Sequence, residues 1–140
     1  LIHSCGFYKN KAKNLKLASQ KILQDFGGEV PQTMEELMTI PGIGRKSANV
    51  IMLEAFHNPQ GIAVDTHVKR LSNRIGFSKK TEPEKIEQDL LKEFPKKYYE
   101  DANHILIYHG RAICKAQNPA CNKCCVAKLC ENPVHSSAKS

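Results

Sequence analysis

The sequence predicts an all-α protein, and three observations indicate this class. Apolar residues recur at helical spacing in several segments, no segment of alternating apolar and polar residues competes with them, and glycine or proline stands where the helical patterns end. The 140 residues, 41% of them hydrophobic, suffice for one modest core or for two small lobes that share a cleft. We therefore expect a helical chain of one or two lobes.

The first helix is predicted between Lys9 and Phe26. Its apolar residues follow one another at intervals of three or four, and a Gly-Gly pair supplies a C-terminal stop. The apolar positions are Ala12, Leu15, Ala18, Ile22 and Phe26. The polar side carries Lys9, Lys11, Lys13, Lys16 and Lys21, which fit either a solvated face or a flank that faces nucleic acid.

Two helices and a glycine turn follow, over about residues 33–57. Thr33, with a glutamate three residues later, is a typical N-cap for a short helix that ends near Ile40. The segment 41–44, Pro-Gly-Ile-Gly, cannot continue a helix, whereas the helical pattern resumes over 45–56. The expected result is a helix, a tight hairpin and a helix.

Three more helices are predicted in the second half. Asp65 with Thr66 caps a helix that Gly76 ends. Residues 83–94 and the segment from 98 to about 115 carry helical patterns as well. We place a lobe boundary near residue 60 and a polar tail from Glu131.

Composition limits the functional classes. No apolar run is long enough to cross a bilayer and no signal-peptide pattern is present, so we expect a soluble intracellular protein. The 21 Lys and Arg residues outnumber the 14 Asp and Glu residues, and the net charge of +7 favours a polyanionic partner without identifying one. The segment from Leu1 to Tyr8 reads like the middle of a folded domain, so we expect that an N-terminal portion is missing.

The glycine turn has two interpretations. Gly42 and Gly44 would let the backbone approach a phosphate closely, with N–H groups and the positive end of the next helix directed at it. Alternatively, Ile43 fills a core and the glycines only make the turn. The Gly-x-Gly pattern alone leaves both open.

Longer motifs resemble the endonuclease III family. Residues 40–50, IPGIGRKSANV, are similar almost residue for residue to the helix-hairpin-helix of that family, and the similarity continues in IAVDTHVKR at 62–70 and HGR at 109–111. It covers about residues 1–133. The resemblance implies an all-α helix-hairpin-helix DNA glycosylase fold, with a partial helical barrel in residues 1–60 and an iron–sulfur cluster lobe in 61–140.

The same resemblance implies a function. It indicates a base-excision-repair DNA glycosylase with AP-lyase activity, acting as a monomer on double-stranded DNA that contains an oxidised pyrimidine or an abasic site. Such an enzyme would work in the bacterial cytoplasm at the nucleoid and flip the damaged nucleotide out of the stack. Gly42, Ile43, Gly44 and Arg45 would bind the DNA.

Lys46 and Asp65 are the candidate catalytic residues. From the residues alone, Lys46 fits a simple phosphate contact as well as a nucleophile, and Asp65 fits a helix cap. The resemblance implies that Lys46 attacks the sugar C1′ and forms an imine, after which elimination breaks the strand on the 3′ side. It also implies that Asp65 stabilises the cationic sugar.

Four cysteines lie within 17 residues: Cys114, Cys121, Cys124 and Cys130. Their C-x6-C-x2-C-x5-C spacing lets one loop wrap a metal site, and spacing alone leaves an iron–sulfur cluster and zinc both open. Resemblance to endonuclease III implies a [4Fe–4S] cluster. The two other cysteines, Cys5 and Cys125, are expected to be packed and inert.

Two alternatives remain open. An adenine or mismatch glycosylase of the same superfamily shares the hairpin and the cysteine spacing but usually has Ser where Lys46 stands, so Lys46 disfavours it. A non-catalytic nucleic-acid-binding module with structural zinc would share the hairpin but would form no imine.

Overall fold

The computed structural model describes residues 1–132, in which six α-helices and two short 3-10 turns form without any strand. The helices are α1 (Tyr8–Asp25), α2 (Met34–Leu37), α3 (Arg45–Glu54), α4 (Thr66–Ile75), α5 (Pro83–Glu93) and α6 (Tyr99–Ala112). The predicted all-α class is confirmed. None of these helices is long and apolar enough to span a membrane.

The chain divides into two compact units, Leu1–Asn58 and the part from Pro59 onward. The first contains α1 to α3, and the second contains α4 to α6 and the cysteine loop, residues 113–130. The predicted polar tail lies, beyond Asn132, outside the described residues.

Helix α1 ends where its sequence predicts but buries less than expected. Gly27 and Gly28 both have positive φ, 61° and 87°, and the Gly28 N–H donates to the Ile22 carbonyl at 3.0 Å. Ala18, Ile22 and Phe26 pack against the first core. Leu15, predicted for the same apolar face, is 59% exposed, so the apolar face within the described residues is shorter than the periodicity suggested.

The first core lies around the glycine turn. Its buried members are Leu37, Ile40, Ala48 and Met52. The Thr33 cap is confirmed, because its Oγ1 accepts from the Glu36 N–H at 3.2 Å. Helix α2 has only one turn, so Ile40, between α2 and the hairpin, supplies part of the first core.

The second core is larger. Its buried members are Ile62, Val64, Val68, Leu71, Ile86, Leu90, Ala102 and Leu106. Buried Asn103 on α6 donates through Nδ2 to the Ala63 carbonyl at 2.9 Å, which fixes the segment that leads into α4. Helix α6 ends earlier than predicted, because the N–H groups of Ile113 and Cys114 both donate to the His109 carbonyl, at 2.9 and 2.8 Å.

Candidate functional site

The glycine hairpin joins α2 to α3 through a turn whose backbone favours glycine at position 42. Gly42 has φ 85°, in the left-handed region, and the Ile43 N–H donates to the Ile40 carbonyl at 3.1 Å. Ile43 packs against the first core, whereas Gly42 and Gly44 are exposed. The two interpretations of this turn are therefore compatible: Ile43 anchors it, and its glycine backbone faces outward.

A residue of α1 supports the hairpin from behind. A Cβ built on Gly42 would lie 3.0 Å from the Cβ of Asn14, which is tighter than nine in ten real Cβ contacts. Sequence reasoning missed Asn14, because it lies on the polar side of α1 and no spacing rule relates it to a turn 28 residues later.

The first turn of α3 carries the candidate nucleophile. Gly44 is the N-cap without a side-chain cap, and its carbonyl accepts from the Ala48 N–H at 2.9 Å. The first N–H groups of a helix have no acceptor within the helix and carry its positive end. Lys46, the second residue of α3, is exposed, and Arg45 is half-buried. This is a suitable environment for an anion.

Asp65 is the N-cap of α4 in the second unit. Its Oδ1 accepts from the Val68 N–H at 2.8 Å, so the predicted cap is confirmed. The side chain is half-buried. Val64, before it, and Val68, after it, are core residues, which fixes the backbone on both sides of the carboxylate.

The cysteine loop follows α6, and its four predicted ligands are all partly buried. No cysteine forms a disulfide in the described residues. Within residues 1–132, no three His, Cys, Asp or Glu side chains lie close enough together to hold a single metal ion.

The expectation that the two remaining cysteines are packed was wrong. Cys5 and Cys125 are both exposed. Cys125 borders an apolar hollow together with Val126, Ile75 and Leu106, so it lies at the edge of the second core rather than inside it. A free cysteine is usually buried as a small hydrophobe, and no sequence signal distinguished these two.

The Cys124 thiol is partly buried and lies beside other cysteines and a histidine. Burial raises its pKa above the ordinary value, the neighbouring Cys125, Cys114 and Cys121 raise it further, and a hydrogen bond from the Val126 backbone opposes them. Its Sγ lies 3.3 Å from Nε2 of His109 on α6.

Two arginines of α4, which sequence reasoning also missed, contact this loop. Arg70 donates through Nε to the Cys114 carbonyl at 3.1 Å and through Nη2 to the Gly110 carbonyl at 2.9 Å. Arg74 follows one helical turn later and contacts Cys114 as well. Their spacing of four residues put both on one helix face, but nothing in the sequence indicated what that face would meet.

Comparison with known proteins identifies the family. A family model described as HhH-GPD superfamily base excision DNA repair protein matches residues 1–96. The chain belongs to this superfamily. It is 54% identical to endonuclease III of Synechocystis sp. over 93% of its length and 46% identical to endonuclease III of Bacillus subtilis over 92%. The resemblance inferred from the hairpin motifs is thereby confirmed.

Solved structures agree with this family. A trapped endonuclease III–DNA covalent intermediate matches with a TM-score of 0.89 and 42% identity, over 94% of this chain and 62% of that one. A thermostable thymine-DNA glycosylase matches with a TM-score of 0.78 and 26% identity, over 93% of this chain and 61% of that one. The chain spans 59% of the length of the Synechocystis and Bacillus relatives.

Proposed function

We propose that this chain carries the DNA-binding and catalytic residues of a bifunctional DNA glycosylase and AP lyase of the endonuclease III type. Its substrate is double-stranded DNA with an oxidised pyrimidine or an abasic site, and it acts as a monomer in the cytoplasm. The observation that carries the proposal is an exposed lysine, Lys46, on the first helical turn after an outward-facing glycine hairpin. The hairpin backbone and Arg45 bind phosphate, which brings the strand to the Lys46 amine.

The chemistry assigned to Lys46 is nucleophilic. Its neutral amine attacks C1′, the bond to the damaged base breaks with the electron pair leaving on the base, and loss of the amine proton with opening of the sugar ring gives an imine. Removal of a C2′ proton then expels the 3′ phosphate by beta-elimination, and water releases the lysine. Asp65 stabilises the positive charge that develops on the sugar. The confirmed cap is compatible with this role, since one carboxylate oxygen makes the Val68 bond.

The cysteine loop fits a [4Fe–4S] cluster by its donor set. Its ligands are thiols only, from Cys114, Cys121, Cys124 and Cys130, and such a set holds iron–sulfur clusters. Each iron of a cubane takes one thiolate, so the sulfurs need not converge on one ion. When bound, the cluster would order the loop and its exposed lysines, Lys115, Lys123 and Lys128, for phosphate contact.

Borohydride trapping tests the activity. The chain, preceded by the N-terminal portion of the Synechocystis relative, is incubated with a duplex that contains one abasic site, and borohydride is added. An imine is reduced to a stable covalent complex that survives denaturing electrophoresis. We expect this complex with the abasic duplex and not with the undamaged one. Binding to the abasic duplex without any covalent product would leave a non-catalytic DNA-binding protein.

Iron content tests the cluster separately. Protein purified without oxygen should be brown and hold about four iron atoms per chain, the content of one cubane on four thiolates. Colourless protein with one zinc would contradict the cluster and leave the trapping result unaffected.

A further inference from the structure

The two ends of the cysteine loop meet the same residue of α4. At the first end, the Arg74 guanidinium donates through Nη1 to the Lys115 carbonyl at 2.7 Å and through Nη2 to the Ala116 carbonyl at 3.0 Å. Nη1 also lies 3.4 Å from the Sγ of Cys114, as a donor to sulfur. One side chain thus holds three consecutive residues where the loop begins.

At the last end, backbone carbonyls of the same helical turn accept the hydrogen bonds. The Arg74 carbonyl accepts from the Cys130 thiol at 3.1 Å and from the Asn132 N–H at 3.1 Å. The Ile75 carbonyl accepts from the Glu131 N–H at 3.2 Å. These carbonyls belong to the last turn of α4, where helix carbonyls have no acceptor role within the helix.

We propose that Arg74 is the positioning residue of the four-cysteine site: its side chain holds the Cys114 end of the loop, and its carbonyl holds the chain just after Cys130 through the Asn132 N–H, a bond that remains when Cys130 is a thiolate. Its role toward a metal centre rests on the proposed cluster. The geometric role rests on the contacts of Arg74 with the two ends of the loop alone.

The chemistry of arginine suits this position. The guanidinium is a planar fork with five N–H donors, so it can serve two carbonyls and a sulfur at once, whereas a lysine ammonium is a point charge that cannot keep the same geometry. Arg70, one turn earlier, contacts the Cys114 and Gly110 carbonyls and therefore only the first end. Arg74 alone among these two arginines touches both ends.

A donor to the Cys114 sulfur also affects a cluster electronically. Hydrogen bonds and positive charge near a ligating sulfur stabilise the more negative, reduced state and raise the reduction potential. A residue that only filled space would leave that potential unchanged. The potential is therefore a readout that separates positioning from general packing.

The test compares Arg74→Gln and Arg74→Lys, with Lys69→Gln as the matched control, since Lys69 is an exposed cation on the same helix. In loaded protein, iron release to a chelator should be about 10-fold faster or more in Arg74→Gln, as expected when a ligating sulfur loses its hydrogen-bond donor. The reduction potential should fall. Arg74→Lys should recover part of both, and Lys69→Gln should match wild type.

A metal-free measurement keeps the two proposals distinguishable. Trypsin should cleave the loop at Lys115, Lys123 and Lys128 several-fold faster in metal-free Arg74→Gln than in metal-free wild type, with circular dichroism used to verify that both are helical. If wild type holds no iron but this difference appears, the cluster fails and the closing role stands. Rates of cleavage and iron release at the wild-type level in both Arg74 variants would overturn the proposal. Full recovery of both rates in Arg74→Lys would also overturn it, because the planar guanidinium would then be unnecessary.

Discussion

The glycine hairpin and the cysteine loop both reverse the chain after a helix, but they are held by different kinds of contact. The backbone bonds of the hairpin join residues three or four apart, such as Ile43 to Ile40 and Ala48 to Gly44. The bonds of the loop to Arg74 join residues 40 to 56 apart. The backbone conformation of the hairpin is therefore set largely by its own short sequence, with α1 packed against it, whereas the ends of the loop are bonded to a helix far away in sequence.

The largest expected effect is on chemistry at the hairpin. Lys46→Gln removes the proposed nucleophile and leaves the backbone of Gly42 and Gly44 unchanged. Borohydride trapping should disappear and base release should fall about a thousandfold or more, while duplex binding, measured by fluorescence anisotropy, changes little. Trapping that persists would identify another amine as the nucleophile. If trapping and binding disappear together, the hairpin needs Lys46 for binding.

Cysteine variants should have the next largest effect, and it should be confined to the loop. Cys121→Ala or Cys124→Ala should lose the iron and unfold much of the C-terminal part, because a metal site of this kind contributes folding free energy. Cys125→Ala should keep its iron, since Cys125 is not among the proposed ligands. Iron analysis and the cluster absorbance measure both. Iron loss in Cys125→Ala would show that the ligand set was assigned incorrectly.

Asp65→Asn separates capping from catalysis. Asparagine caps a helix about as well as aspartate, so the free energy of unfolding should change by no more than a few tenths of a kcal/mol. Loss of the negative charge should nevertheless lower glycosylase turnover about a hundredfold or more. Thermal denaturation and single-turnover kinetics on one preparation measure the two. An unfolded variant whose folded fraction is fully active would reduce Asp65 to a cap.

Two glycines compare the two regions directly. Gly42 in the hairpin and Gly76 at the end of α4 both have positive φ, 85° and 113°. Gly42→Ala and Gly76→Ala should each cost about 1–3 kcal/mol, the usual strain of a non-glycine residue there, and a Cβ at Gly76 would also overlap the Glu131 side chain. Only Gly76→Ala should speed iron release. Gly6→Ala, with nothing within 4 Å of its Cβ, is the control. Iron release that is faster in both variants would show that the two regions are coupled, and release at the wild-type rate in both would contradict the role given to the end of α4.

The smallest effect is expected from a surface pair outside both regions. The Lys85 ammonium, 2.8 Å from Glu82, lowers the pKa of that carboxyl from 4.5 to about 2. Because the folded pKa lies below the unfolded one, the pair stabilises above about pH 4.5, and its contribution is lost as the pH falls toward 2. Both groups are exposed, so solvent screening keeps the contribution small. Glu82→Gln should lower Tm by a barely measurable amount near neutral pH, and it should not change Tm near pH 2. A difference that grows on acidification would contradict this sign.

The sequence predicted what depends on neighbouring residues. The Thr33 and Asp65 caps and the Gly76 stop all follow from residues within one helical turn, and the structure confirms them. Prediction from the sequence failed where a side chain contacts a residue far away in the chain. It missed the contact of Asn14 with Gly42 and that of Arg74 with the cysteine loop. Periodicity shows which face of a helix differs from the others, but a face gives no information about the segment that will cover it.

Half of the Arg74 contact is invisible to conventional mutagenesis. The loop's last residues are bound by the main-chain oxygens of Arg74 and Ile75, which every amino acid supplies. Alanine substitutions along α4 would therefore detect only the guanidinium contacts at the first end of the loop. The backbone contacts at the last end would show no effect, because every substitution keeps the carbonyl. Replacing the amide between Ile75 and Gly76, or that between Arg74 and Ile75, by an ester through semisynthesis would weaken the acceptor oxygen and keep every side chain. It would also remove one helix N–H, such as that of Gly76, which donates to the Ser72 carbonyl at 3.2 Å. Compared with Arg74→Gln, which acts on the first end, such backbone variants would measure the contribution of the last end.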